Sequence, residues 1–141
     1  MLNLAKMGFS LLIVSAVSLI PRVSLAANRD FNLSFSSNSK ISTVRSNAVV
    51  RGDRDRYYFS AQGGQRISIA VASLEDNAVF QLLYKRGEAW VAVEGTQEGR
   101  DRRVWYGVLP SSDSNRYRID VGGTRGNASY DLFVGIAAVR R

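Results

Sequence analysis

Arg54-Asp55-Arg56-Tyr57-Tyr58-Phe59-Ser60-Ala61-Gln62-Gly63-Gly64-Gln65-Arg66-Ile67-Ser68-Ile69-Ala70-Val71 is the stretch that decides the fold. Tyr57 and Phe59 alternate with their neighbours, and Ile67, Ile69 and Val71 alternate with Arg66, Ser68 and Ala70. A period of two places alternate side chains on one face of a strand. Gln62-Gly63-Gly64-Gln65 between the two runs is a turn. The same rhythm continues toward the carboxyl end. Phe80, Leu82 and Tyr84 share a face within Ala78 to Tyr84, Trp90 to Val93 is a short strand, and Val104 to Leu109 is a strand stopped by Pro110. Tyr117, Ile119 and Val121 form the next strand, and Tyr130, Leu132, Val134 and Ile136 the last. Toward the amino end, Phe31, Leu33 and Phe35 alternate as a first strand. Ser37 to Ser46 is serine-rich and reads as a loop, with an edge strand at Ile41 to Val44. Short strands separated by glycine turns, with no helical period, predict an all-β, antiparallel two-sheet β-sandwich. A barrel of the oligonucleotide-binding type is the alternative.

The rhythm does not extend to the start of the chain. Lys6 precedes an uncharged apolar run from Met7 to Ile20, Pro21 and Arg22 break it, and Ser24-Leu25-Ala26 places small residues at the −3 and −1 positions. That is the layout of a cleavable signal peptide, residues 1–26. The run is too short to span roughly 30 Å of hydrocarbon, so no transmembrane segment is expected after cleavage. The expected division is then a signal peptide at 1–26, an amino-terminal strand and serine-rich loop at 27–47 that joins the domain, and the sandwich proper at 48–141. The protein is expected to be exported, to the periplasm or the extracellular space, and to be a monomer.

Composition removes several classes of function. The 141-residue chain holds no histidine and no cysteine. Histidine-based triads, cysteine–histidine dyads and histidine zinc sites are therefore excluded, and so is any disulfide. Glu75-Asp76 and the set Glu94, Glu98 and Asp101 are the carboxylate clusters. Nothing in their spacing places two acids across a cleft as a glycosidase requires. No catalytic residue, cofactor or metal is assigned, and the protein is expected not to be an enzyme. Asp53-Arg54-Asp55 has the alternating carboxylates of a calcium loop, but Arg51, Arg54 and Arg56 crowd it with positive charge. One of its aspartates is expected to cap the turn and the other to pair with an arginine.

Without Lys6 and Arg22, 17 Lys and Arg stand against 12 Asp and Glu, a net charge of +5. Fifteen of those cations are arginine, which binds carboxylates and phosphates through a planar fork. A basic exported surface favours an acidic protein face or an anionic envelope polymer. Nucleic acid is not an expected partner outside the cell. Trp90, Tyr106, Arg102 and Arg103 are candidates for one aromatic and basic surface. Trp105 and Tyr106 are adjacent on a strand, so one of them faces out. Thr124, Arg125 and Asn127 lie in the glycine-flanked connection Gly122 to Asn127. Arg125 there suits pairing with a partner's carboxylate. The same residues also suit plain turn chemistry, with the glycines supplying positive φ. Arg54 joins this set as a candidate partner-binding residue.

The segment Gly52-Asp53-Arg54-Asp55-Arg56-Tyr57-Tyr58-Phe59, followed by the Gly63-Gly64-Gln65 turn into Ile67 and Ile69, resembles the hallmark of bacterial pre-peptidase C-terminal domains. Gly107-Val108-Leu109-Pro110 ahead of Tyr117 to Val121 is similar to a later signature of that family. The likeness runs from about Val49 to Ile136. Thr124-Arg125-Gly126-Asn127 also resembles a loop in the periplasmic inhibitors of goose-type lysozyme, a stand-alone exported group in the same neighbourhood. The resemblance implies a compact exported β-sandwich whose loops at one end block an enzyme cleft, with a goose-type lysozyme as the partner.

Overall fold

The computed structural model describes residues 27–35 and 40–138. The expected signal peptide and residues 36–39 of the serine-rich stretch lie outside them. Every regular element among the described residues is a strand: β1 (Arg29–Asn32), β2 (Ile41–Val49), β3 (Asp55–Ser60), β4 (Arg66–Ala72), β5 (Ala78–Arg86), β6 (Ala89–Ala92), β7 (Val104–Val108), β8 (Arg116–Gly123) and β9 (Ala128–Ile136). They form two sheets, ordered β1-β3-β8-β5-β6 and β2-β9-β4-β7. This is the expected sandwich.

The alternating residues make its core. Tyr57, Phe59, Phe80, Leu82, Tyr117, Ile119 and Val121 from the first sheet are buried with Ile67, Ile69, Val71, Tyr130, Leu132, Val134 and Ile136 from the second. Each large apolar side chain so buried contributes about 1.5–3 kcal/mol. In a chain without disulfides, this packing has to offset the entropy of ordering the backbone.

Two elements differ from the sequence expectation. The first strand covers Arg29 to Asn32 rather than Phe31 onward, and it runs parallel to β3, Phe31 opposite Tyr57. Leu33 still donates its N–H to the Tyr58 carbonyl at 2.8 Å, Phe35 lies beyond the ladder, and both pack against the core. The edge strand β2 has nine residues, although the serine-rich sequence shows alternation over only a few. Its ladder with β9 sets its length, because backbone hydrogen bonds do not depend on side-chain type. The register slips between Val44 and Asn47, where Ser46 adopts a positive φ of 52°. The Asp131 carboxylate fills that bulge, accepting from the Ser46 N–H at 2.7 Å and from Arg45 at 3.3 Å.

One polar cluster lies between the sheets. Asp55 on β3 is fully buried. Its carboxylate accepts Arg29 Nε at 2.8 Å and Nη2 at 2.7 Å, and the Tyr130 hydroxyl at 2.6 Å. It is the aspartate of the Asp53-Arg54-Asp55 run that pairs with an arginine. Tyr57 then donates to Tyr130 at 2.5 Å, and Asn47 Nδ2 donates to Tyr57 at 2.6 Å. Arg29 also reaches the Ala48 carbonyl. Burial pushes the Tyr130 and Tyr57 phenols above their ordinary range, Tyr130 further because it donates to the Asp55 carboxylate. Both stay protonated, which fixes the direction of the hydrogen-bond chain. It runs from Arg29 on β1 through Asp55 and Tyr57 on β3 and Tyr130 on β9 to Asn47 on β2, so it joins the two sheets.

Asp55→Ala should destabilise the domain by about 2–4 kcal/mol in urea unfolding, because it strands buried donors. Tyr130→Phe should cost about 1–2 kcal/mol. Equal midpoints for wild type and Asp55→Ala would show that the cluster carries no stability.

Candidate functional site

Four connections meet at one end of the sandwich: β2–β3, β4–β5, β6–β7 and β8–β9. They are joined by hydrogen bonds and ion pairs. Asn77, buried in the β4–β5 connection, donates from Nδ2 to the carbonyls of Arg125 at 3.1 Å and Asn127 at 2.8 Å. The Thr124 N–H returns a bond to the Asn77 carbonyl at 2.8 Å. Asn127 Oδ1 accepts the Arg51 N–H at 2.9 Å, which ties the β2–β3 turn to the β8–β9 loop. Arg54 bridges to Glu98 at 3.1 Å, and Arg103 to Asp76 at 2.8 Å. Inside the β6–β7 connection, the buried Thr96 hydroxyl accepts from the Leu82 N–H at 3.1 Å and sits 2.8 Å from the Val93 carbonyl.

This cross-tying holds the backbone of residues 124–127 from behind and leaves the Arg125 side chain in solvent. Gly126 has a φ of 78°, a conformation glycine adopts without strain. Gly122 and Gly123 lie within β8 and do not supply positive φ. Gly122 has a different role: a Cβ there would overlap the guanidinium of Arg54, which packs against it.

Arg54 and Thr124 also line a groove of about 280 Å³, with Gln81, Glu98, Asp101 and Asp120 among the other lining residues. Asp120 is nearly buried and is held by Arg118 through two bonds, 2.6 Å from Nε and 2.8 Å from Nη2. Burial pushes its carboxyl above the usual range, while Arg118, Arg56 and Arg54 pull it back.

Of the residues expected to contact a partner, Thr124, Arg125, Asn127 and Arg54 are therefore brought to one end. Trp90, Tyr106, Arg102 and Arg103 do not form one surface. Trp90 is on β6 in the first sheet, in edge contact with Tyr58 at 5.7 Å, with Arg118 at 4.9 Å and Lys85 at 5.4 Å over its ring. Its faces are engaged by this chain's own cations. Tyr106 is on β7 in the other sheet, where its hydroxyl accepts from Arg66 at 3.1 Å. Arg102 and Arg103 are tied back to the Gly95 carbonyl and to Asp76. Period-two counting gives the face of each residue but not which strands become neighbours. Asn77, Gln81 and Asp120 escape sequence reasoning for that reason, and Glu98 reads only as a member of a carboxylate cluster. Asn77 reads only as part of a turn, since its partners lie about 50 residues away.

The fold and this end together define a class: a β-sandwich, without a helix among the described residues, that presents one set of interlocked loops. No protein-family model matches the chain, and no curated sequence relative matches it. Solved structures do. The periplasmic inhibitor of g-type lysozyme from Aeromonas hydrophila aligns over 79% of this chain and 100% of its own, with 21% identity and a TM-score of 0.60. A mutant of the Escherichia coli periplasmic inhibitor of g-type lysozyme aligns over 79% and 100%, with 18% identity and a TM-score of 0.59. A pre-peptidase C-terminal domain of a Bacillus anthracis collagenase aligns over 78% and 96%, with 15% identity and a TM-score of 0.46. The likeness to the inhibitors is one of fold.

A carboxyl group with a raised folded-state pKa favours the fold below its unfolded value of about 3.9, and that contribution is lost as pH rises through the folded value. Asp120→Asn removes the titration. Its thermal midpoint should therefore move up relative to wild type as pH rises above about 4. A shift the other way would mean that Arg118 outweighs burial at this site.

Proposed function

We propose that this is an exported, non-enzymatic binding protein of the lysozyme-inhibitor type, which sets its loop end into the cleft of a g-type lysozyme. The observation that carries this reading is the interlocked end itself. Residues 124–127 are anchored through Asn77 and Arg51, so the Arg125 guanidinium is offered to solvent from a rigid support. A pre-organised loop loses little entropy on binding. An arginine desolvated against a partner's carboxylate contributes about 2 kcal/mol or more. Arg54 stands beside the same loop, already in a charge pair that a partner carboxylate would compete for. The shared fold with two inhibitors of g-type lysozyme, across their whole length, supports the reading. The signal-like start of the chain supports export, to the periplasm or beyond.

The outer face of the first sheet favours a second reading, retention on an anionic envelope polymer. Arg116 lies over Tyr58 at 5.8 Å, beside Arg118, Lys85 and Trp90. Binding there would decline steeply with salt.

Lysis of bacterial cell walls by g-type lysozyme should slow on addition of the purified protein at micromolar concentration. Arg125→Ala should weaken the effect at least about tenfold, the equivalent of 1.4 kcal/mol. Arg141→Ala, which removes the same charge elsewhere in the chain, should change it little. Unchanged lysis with wild type would end the inhibitor reading.

A further inference from the structure

The two sheets have four edge strands, and three of them are blunted in ways that prevent pairing. The strands β1 and β6 have four residues each, and β2 is broken by its register slip. The fourth, β7, is continuous and contains no proline, lysine or bulge. Its inner neighbour β4 bonds to the odd-numbered residues: Val71 donates to the Arg103 carbonyl, and Leu109 donates to the Gln65 carbonyl. The N–H and C=O groups of Val104, Tyr106 and Val108 therefore point away from β4, into solvent. The side chains of the same three residues stand on the outer face and are 66%, 61% and 52% exposed. On the inner face, Trp105 folds back over Gly107.

We propose that β7 pairs with the β7 of a second copy of this chain, antiparallel and centred on Tyr106, joining two four-stranded sheets into one of eight. The choice of occupant rests on self-complementarity. A two-fold axis through Tyr106 sets Tyr106 against its counterpart and Val104 against the second copy's Val108. All six outward backbone groups of each strand then find partners, and the facing side chains are apolar or aromatic, pairs that stabilise a sheet. No charged residue of β7 meets a like charge. An isologous contact of this kind closes at two copies. Arg66 donates to the Tyr106 hydroxyl on this face, so one Arg66 guanidinium from each copy flanks the seam.

The area is small. Three side chains per copy fall short of the roughly 1,200 Å² of a stable interface, so the dimer should dissociate in the range of about 10–1,000 µM. Both copies are basic, so added salt should strengthen the pairing by screening their repulsion. Binding of an anionic polymer would respond to salt in the opposite sense.

Sedimentation equilibrium of the purified protein across that range, at low and high salt, tests the pairing. Wild type is expected to pass from monomer to dimer, earlier at high salt. Tyr106→Lys, which sets two cations face to face, should raise the dissociation constant at least about tenfold. Tyr106→Pro removes one outward N–H without touching the β4 ladder and should do the same, with unchanged far-ultraviolet circular dichroism for both variants. A wild type that stays monomeric at 1 mM and high salt overturns the proposal, including the case where the edge takes a strand from a different protein. A dimer that survives both substitutions overturns it too.

Discussion

The Asp55 carboxylate is the interaction on which the rest of the structure depends. It is fully buried in a domain with no disulfide, paired with one arginine and hydrogen-bonded by one tyrosine hydroxyl from a different strand. Leaving such a charge unpaired costs several kcal/mol, whereas a fully bonded one costs little. The bonds therefore select a single arrangement of β1, β2, β3 and β9. Facing apolar surfaces alone would tolerate sliding, but hydrogen bonds of 2.5–2.8 Å do not. The parallel placement of β1 is part of the same solution, since only a strand beside β3 at that register brings Arg29 to Asp55.

Beyond the core, the same chemistry holds the loops. Asn77 acts for the β8–β9 connection as a cross-link would in a cysteine-bearing secreted domain, supplying a buried amide to two carbonyls. Glycine is needed at Gly126 for backbone conformation and at Gly122 for space beneath Arg54. The result is an end whose backbone is rigid while its arginines differ in freedom: Arg103 and Arg54 are paired, and Arg125 projects into solvent. A surface that is pre-organised in this way suits contact with a shaped partner, because little order remains to be imposed on binding.

The two outer faces differ in how much apolar surface they expose. On the first sheet, arginines and a lysine rest on Tyr58 and Trp90, and the rings offset part of the cations' mutual repulsion. On the second, Val104, Tyr106, Val108 and Ile41 are exposed, with Arg66 bonded to the Tyr106 hydroxyl and Arg45 over the Phe133 ring. Net charge therefore describes the molecule poorly. Cations stand on both layers, and a basic protein can still offer an apolar edge or a groove lined by Glu98, Asp101 and Asp120.

The alternation of Tyr57, Phe59, Ile67, Ile69 and Val71 and of the later runs determined the two-sheet sandwich and its core, because a half-buried strand must place every second side chain inside. The absence of histidine and cysteine determined which chemistries the chain cannot perform. The length of β2 was hidden, since a ladder to β9 needs no apolar rhythm of its own. Only the tertiary structure decided that Asp55 meets Arg29, that Arg54 meets Glu98, and that Trp90 and Tyr106 stand on different sheets. Those outcomes follow from strand order, which brings together residues separated by tens of positions. Side-chain period is a local property of the chain, and strand order is a property of how two whole sheets bury their faces against each other.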